Sequence, residues 1–222
     1  MQLLPLRTQD DHVLLEVEGQ SWLLDTGAPL SFSDARIIVL AGKPFQIASN
    51  YHGLTAAALS QFVGVRCQGL LGADVLGSFD LVLDAPSAVA TLSTDELPQV
   101  GHPVSLDQLM GIPTVSAQIR GNTHQMFFDT GAQVSYFQDA SLTDFAEAGR
   151  VTDFYPGFGQ FQTTTYHVEV SLGNLVFTLR TGALPDLLAA SLGMGDTRGI
   201  IGNQILAGRV VGYFPRRGLL ML

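Results

Sequence analysis

Two short loops of the sequence carry an acidic residue in the same setting. Asp25 is followed by Thr26-Gly27-Ala28, and the same four residue types return in the loop that begins at Asp129, 104 residues later. Each Asp follows two apolar residues, and a serine stands six positions after it, Ser31 or Ser135. A single Asp-Thr-Gly is typical of an ordinary turn. Two copies in equivalent places indicate a duplicated unit.

The chemistry open to these loops depends on whether they face each other. A strand that ends in Asp before a tight glycine turn presents a carboxylate at the rim of a β-structure. Like charges about 3 Å apart do not both ionise readily, so such a pair holds one proton at acidic pH. The ionised member can then accept a proton from a water, and the protonated member can polarise the carbonyl that this water attacks. The pair Asp25 and Asp129 therefore predicts hydrolysis without a metal or a covalent intermediate.

The elements that must position the two loops repeat as well. Alternating residues run through 13–18 and 115–120, and a glycine ends each run, which predicts a hairpin leading to each Asp. Further on, Gly-Leu-Leu-Gly at 69–72 is answered by Gly-Ile-Ile-Gly at 199–202. The segments 53–72 and 182–202 both contain Ala/Leu-rich stretches that could form two helical turns.

The remaining pattern favours short strands. Strands are predicted at 79–83, 88–92, 210–214 and 218–222, with glycine and proline between them, and the best further helix candidate is 142–148. The sequence therefore predicts a mainly β protein.

Composition excludes several classes of protein. A hydrophobic fraction of 46% against 14% charged residues predicts a folded globular chain rather than a disordered one. The net charge of −9, with only 11 scattered Lys and Arg, argues against a nucleic-acid partner. The five histidines have no metal-ligand spacing, and the glycines at 42, 157 and 159 belong to turns, so no metal or other cofactor is expected. Cys67 is predicted to be a core residue.

The two loops and the two Gly-apolar-apolar-Gly elements together resemble the signatures of the aspartic peptidases, over nearly the whole chain. The alanine after each glycine is similar to the retroviral-type branch, whereas two copies in one chain are similar to the pepsin arrangement. The resemblance implies an all-β, two-lobed acid-protease fold with pseudo-twofold duplicated β-barrel lobes and a central cleft. The first lobe would span residues 1–94, a linker 95–103, and the second lobe 104–222.

The resemblance also implies a role for each residue of the loops. Asp25 and Asp129 would be the catalytic carboxylates. The supporting residues would be Thr26 and Thr130, which cross-bond the loops, Gly27 and Gly131, which offer backbone groups, and the pairs Ser31 with Asp74 and Ser135 with Gln204. The glutamine departs from the family's usual Asp or Asn.

The second copy contains about 25 more residues than the first between its serine and the following conserved glycine. This extra stretch, near 138–166, holds an aromatic-rich segment with glycines at turn positions, which is typical of a mobile hairpin tip. The resemblance implies a flap that covers the bound peptide, formed here by Tyr155, Gly157, Phe158 and Gly159 of the second lobe. An ordinary surface loop is the alternative.

The function expected from these features is that of an aspartic endopeptidase acting on an extended polypeptide. The alternative is an aspartic-protease-like module that binds peptides without cleaving them. We expect a monomer, with terminal strands at 3–6 and 219–222 helping to bridge the lobes. Since no leader peptide and no long apolar stretch is seen, we expect no membrane association and a cytoplasmic location.

Overall fold

The computed structural model describes residues 1–193 and 196–222, and strands form most of its regular structure. We refer to residues 1–94 as the first half and to residues 104–222 as the second half. The first half contains β1 (Gln2–Gln9), β2 (His12–Val17), β3 (Gln20–Leu24), β4 (Phe32–Ser33), β5 (Ile37–Leu40), β6 (Lys43–Gln46), α1 (Ala56–Val63), β7 (Gly69–Leu71), α2 (Ala73–Leu76), β8 (Asp80–Asp84) and β9 (Val89–Ser93).

The second half repeats much of this order and adds a long hairpin. It contains β10 (Pro103–Leu109), β11 (Ile112–Ile119), β12 (Asn122–Phe128), β13 (Ser135–Phe137), a 3-10 helix (Ala140–Asp144), β14 (Ala146–Tyr155), β15 (Gly159–Leu172), β16 (Leu175–Gly182), α3 (Asp186–Gly193), β17 (Gly199–Ile201), 3-10 helices at Asn203–Leu206 and Pro215–Arg217, β18 (Val210–Phe214) and β19 (Leu219–Met221). The mainly β class predicted from the sequence is confirmed.

Each Asp-bearing loop follows a two-residue hairpin. The turn between β2 and β3 has positive φ at both Glu18 and Gly19, and the turn between β11 and β12 has positive φ at Arg120 and Gly121. Two consecutive residues of positive φ give the type I′ turn, whose twist matches that of the flanking strands. The predicted hairpins are confirmed.

The strand that ends at each Asp is held in the same way in both halves. β3 runs parallel to β7 with Leu24 opposite Leu71, and β12 runs parallel to β17 with Phe128 opposite Ile201. β4 and β13 then pair antiparallel with β7 and β17. All four of the opposed side chains are buried, so both loops start from the hydrophobic core.

A sheet in the order β1, β9, β8, β18, β19, β10 joins the two halves. The strands that pair across the halves are β8 and β18, with Leu83 opposite Val211. The terminal strands β1 and β19 pair only within their own half. Both terminal strands thus belong to the sheet that joins the halves, as expected, but the pairing across the halves is made by β8 and β18 at the centre of this sheet.

The helices agree with the sequence in two places and differ in one. α1 and α3 form the two helical turns expected within 53–72 and 182–202. α1 begins after Thr55, whose Oγ1 accepts a hydrogen bond from Ala58 N, and it ends at Gly64 with φ of 73°. The helix predicted at 142–148 is wrong, because the 3-10 helix ends at Asp144 and the chain then enters β14.

Cys67 is buried in an apolar cluster of the first half, and burial raises the pKa of its thiol to about 11. A thiol of this kind is protonated at neutral pH, as expected of a core residue. Among the helices that the structure describes, none has the length and apolar character needed to cross a membrane.

Candidate active site

Asp25 and Asp129 lie side by side where β3 and β12 end. The backbone N–H of Asp25 donates to Leu71 O at 3.0 Å, and that of Asp129 donates to Ile201 O at 3.0 Å. These bonds extend the parallel pairing of β3 with β7 and of β12 with β17 by one residue. The sheet therefore fixes the backbone of both acids before any side chain contributes.

The threonines of the two loops tie the halves together beneath the acids. Thr26 N donates to Thr130 Oγ1 at 3.1 Å, and Thr130 N donates to Thr26 Oγ1 at 3.0 Å. Each hydroxyl then donates to the opposite strand, Thr26 Oγ1 to Phe128 O at 2.7 Å and Thr130 Oγ1 to Leu24 O at 2.9 Å. Since both threonines are buried, the four bonds form in a water-poor environment, where hydrogen bonds are electrostatically strong.

The two acids are also held by backbone groups of their own loops. Asp25 Oδ1 accepts a hydrogen bond from Ala28 N at 2.8 Å, and Asp129 Oδ1 accepts one from Gly131 N at 2.8 Å. The two carboxyl groups lie close enough to share a proton, and the charge of Asp129 acts directly on Asp25. Both side chains keep partial exposure to a cavity, so a water or a substrate can reach them.

Burial makes both carboxyl groups weaker acids than usual. The pKa of Asp25 is raised well above its ordinary value, first by burial and then by the charge and hydrogen bond of Asp129. Burial also raises the pKa of Asp129, although its hydrogen bonds with Asp25 and Gly131 act in the opposite direction. The pair therefore holds a proton more tightly than two independent carboxyl groups, and the two acids titrate as one unit.

Ser31 connects the first loop to helix α2. Its N–H and its Oγ both donate to Asp74 Oδ1, at 2.9 and 2.6 Å, and its Oγ accepts from Gly72 N at 2.8 Å. The Asp74 carboxylate lies in the first turn of α2, where the helix dipole favours a negative charge. The structure thus brings together Ser31 and Asp74, the pair predicted from the sequence.

The corresponding pair in the second half differs from the prediction. Ser135 Oγ accepts from Gly202 N at 3.1 Å, but Gln204 Oε1 instead accepts from Arg180 N on β16 at 2.8 Å. The predicted pairing of Ser135 with Gln204 is wrong. The glutamine side chain is one methylene longer than that of Asp74, so it reaches the backbone donor offered by the adjacent strand β16.

The hairpin of β14 and β15 reaches the two acids. Tyr155 and Pro156 at its tip line the same cavity as Asp25 and Asp129. At the turn, a Cβ built on Gly157 would lie 3.7 Å from the Cβ of His52 in the first half. Part of the tip thus extends from the second half across the dyad to the first.

The other two residues predicted for the tip lie farther from the dyad. Phe158 N closes the turn with Tyr155 O at 3.0 Å, and its ring packs on Phe161. Gly159 begins β15 with φ of 95°. Neither belongs to the described residues that line the cavity around the acids.

Three residues with polar side chains in the cavity were missed by the sequence analysis. Tyr51 lies in the first half, close enough to Asp25 for the carboxylate charge to contribute to a raised phenol pKa, after burial as the main cause. Asp153 on β14 accepts a hydrogen bond from the hydroxyl of Tyr136. Tyr136 could have been found by comparing the two copies, since Phe32 occupies its position in the first. Tyr51 and Asp153 lie in stretches that do not repeat, and no sequence signal marks them.

The described residues contain no group of three or more His, Cys, Asp or Glu side chains that could hold a metal ion. His12, the most buried of the histidines, is paired with the side-chain amide of Gln133 at 2.7 Å rather than with a carboxylate.

In comparisons with known proteins, the chain matches no protein-family model and no curated protein sequence.

Proposed function

We propose that this protein is an aspartic endopeptidase with two similar β lobes and that it hydrolyses peptide bonds in an extended polypeptide. The observation that carries the proposal is the close pair Asp25 and Asp129, which line one cavity and are held there by loops that the threonines cross-link. The same Asp-Thr-Gly-Ala loops support membership of the aspartic peptidase class. Lobes of residues 1–94 and 104–222, with a linker between them, fit the repeated pairing of strands in the two halves.

The proposed reaction uses one proton on the pair. The ionised acid of the pair accepts a proton from a water held between the two carboxyl groups, and the water oxygen attacks the peptide carbonyl. The protonated acid donates to the carbonyl oxygen, so that a neutral tetrahedral diol results. The acid that took up the water proton then donates it to the amide nitrogen, while the other acid, now ionised, takes a proton from a diol hydroxyl. The C–N bond breaks to leave an amine and a carboxylic acid, and the pair again holds one proton. The rigid support of both loops favours this step, because neither carboxyl group has to reorganise.

The β14–β15 hairpin would act as the flap of this site. Tyr155 and Pro156 lie over the acids and would shield the reacting water from bulk solvent. An extended peptide between the hairpin and the dyad would present its backbone to both. On this proposal the second lobe alone contributes a flap, because β5 and β6 of the first half form only a short pair of four-residue strands.

The raised pKa values set the expected pH dependence. Activity requires one proton on the pair, so it should rise as the pair loses its first proton and fall as it loses its second. Because burial raises the pKa of both groups, both limits should lie above those of two exposed carboxyl groups. We expect an optimum in mild acidity and poor activity in alkaline solution. A profile that stays flat up to about pH 9 would contradict the shared-proton mechanism.

Replacement of each acid provides the direct test. Asp25→Asn and Asp129→Asn should each lower the rate of cleavage of an unfolded protein roughly 10²- to 10⁴-fold at the optimum pH, because the pair loses its acid or its base. Asp34→Asn, at an exposed position of the first half, is the matched control and should keep full activity. If the wild-type chain binds peptides but never cleaves them, the non-catalytic binding module is the correct alternative.

A further inference from the structure

The two sides of the cavity around the dyad differ in chemistry. The side formed by the first half carries no charged group besides Asp25: Leu23, Leu54 and Leu70 line it together with the phenol of Tyr51, and Phe154 of the hairpin packs against the same apolar cluster. The side formed by the second half also carries Leu184 and Ile200, but two polar residues, Tyr136 and Asp153, lie among them. A duplicated site has therefore become asymmetric.

The difference can be traced to one position of the repeat. Phe32 and Tyr136 each stand seven residues after the Asp of their copy, and both are buried. The Tyr136 hydroxyl donates to Asp153 Oδ2, and the Asp153 charge together with burial keeps the phenol pKa far above its usual value. Tyr136 is thus a permanent donor that fixes the carboxylate of Asp153 at the cavity wall, whereas Phe32 offers nothing of the kind.

The Asp153 carboxylate has no cationic partner in the described part of the chain. Besides Tyr136, it accepts a hydrogen bond from Phe154 N at 2.8 Å, and the ion pairs of the described residues all involve other acids. His12 is close enough to sense its charge, but burial lowers the His12 pKa and so favours the neutral imidazole. The negative charge at this wall is left for a ligand to compensate.

A bound extended peptide would meet both walls at once. Successive side chains of an extended chain point in opposite directions, so the two residues that flank a scissile bond face opposite sides of the cavity. We propose that the second-half side, through Asp153, selects a lysine or arginine side chain next to the scissile bond while the first-half side takes an apolar one. This inference rests on the proposed endopeptidase function and specifies its substrates as polypeptides with a basic residue beside an apolar residue.

The test compares peptides that differ in one charge. Two peptides carry Phe-Lys or Lys-Phe at the scissile bond. In the matched peptide of each pair, norleucine replaces the lysine, because it has nearly the same length without the charge. The ratio of kcat/KM for lysine over norleucine is measured for the wild type, for Asp153→Asn, and for Glu147→Gln. The last variant removes one charge from an exposed position on the same strand. Affinities for the same peptides with a non-hydrolysable link are measured by calorimetry.

In one of the two peptide orders we expect the wild type and Glu147→Gln to favour lysine about tenfold or more, as is usual for a buried charge pair. Asp153→Asn should bring that ratio close to one. An equal ratio in wild type and Asp153→Asn, with cleavage intact, overturns the inference and leaves the endopeptidase function standing. Failure of the wild type to cleave any peptide refutes the endopeptidase function, and the calorimetric ratios then decide whether Asp153 selects the basic side chain.

Discussion

The glycine of each loop lies where the carboxyl group of the opposite half leaves no room for a side chain. A Cβ on Gly27 would lie 2.2 Å from Asp129 Cγ, and one on Gly131 would lie 2.5 Å from Asp25 Cγ. Real Cβ atoms do not approach other atoms this closely. The glycines therefore allow the two acids to reach each other across the interface, and each acid packs against the backbone of the loop that carries the other.

The raised pKa of Asp25 also predicts how stability depends on pH. A carboxyl group that binds its proton more tightly in the folded than in the unfolded state stabilises the fold when the pH lies below its unfolded pKa, about 3.9. This stabilisation is lost as the pH rises through the raised pKa of the folded state. At neutral pH the dyad therefore destabilises the protein. Asp25→Asn should raise the Tm at pH 7, where each kcal/mol corresponds to about 2–4 °C. The gain should shrink towards pH 3 in a series of thermal unfolding curves.

A lower Tm for Asp25→Asn at pH 7 would contradict this account, as would a gain that is equally large at pH 3. The exposed variant Asp34→Asn is again the control, and its Tm should follow that of the wild type across the series.

At the scale of elements, the two loops are supported unequally. The Ser31 hydroxyl makes two hydrogen bonds, since it donates to Asp74 and accepts from Gly72 N, whereas the Ser135 hydroxyl accepts a single one from Gly202 N. Ser31→Ala leaves a buried N–H and a carboxylate without this hydroxyl, and it should cost about 2–3 kcal/mol of unfolding free energy. Ser135→Ala should cost about 1 kcal/mol. Urea denaturation measures both, and equal losses would show that the Asp74 bond contributes nothing.

The strands could be predicted from the sequence because the copies support each other. Local signals are enough here. Gly19 and Gly121 mark the two hairpin turns, where φ is positive, and the repeated Gly-apolar-apolar-Gly elements mark the parallel pairs. The helix predicted at 142–148 failed for the opposite reason. Local propensity there is overridden by the pairing of β14 with β15, in which Ala146 lies opposite His167, and that contact is invisible in a single segment.

The residues of the site could be predicted from the sequence only where the elements that carry them repeat in both halves. Asp25, Asp129 and the threonines come from duplicated loops, and the structure brings them together. Asp153 enters from the hairpin that the first half lacks, and its position depends on the register between β14 and β15. Gln204 turns to Arg180 because of β16. Sequence comparison between the halves cannot describe contacts that only one half makes.

At the scale of the whole molecule, both acids belong to one chain, and β8 pairs with β18 to join the halves. A second copy is therefore not needed to complete the site. We expect cleavage activity per chain to be independent of protein concentration and sedimentation to show a monomer at the assay concentration. Activity that rises steeply with concentration, together with a dimer in sedimentation, would contradict this prediction.

The halves are also joined by a buried acid at the start of β8. Asp80 is fully buried, and its two carboxylate oxygens accept hydrogen bonds from Arg216 at 2.9 Å, from Arg217 at 2.5 Å and from Leu97 N of the linker at 2.9 Å. One carboxylate thus connects the first half, the linker and the second half.

Removal of the Asp80 carboxylate should destabilise the fold much more than removal of a surface charge. Asp80→Ala leaves Arg216 without an acidic partner and the mostly buried Arg217 with only the exposed Glu96, and a broken buried pair costs about 3–5 kcal/mol. The lower end is expected here, because Arg216 keeps 35% exposure. The control is Glu16→Gln, which removes the exposed pair with Arg7 and should cost less than about 1 kcal/mol. Equilibrium urea unfolding gives both values.

Since Asp80 lies at the junction of the two halves, its loss should also let the halves unfold at separate urea concentrations. Similar losses of unfolding free energy for Asp80→Ala and Glu16→Gln would show that the Asp80 ion pairs do not hold the halves together.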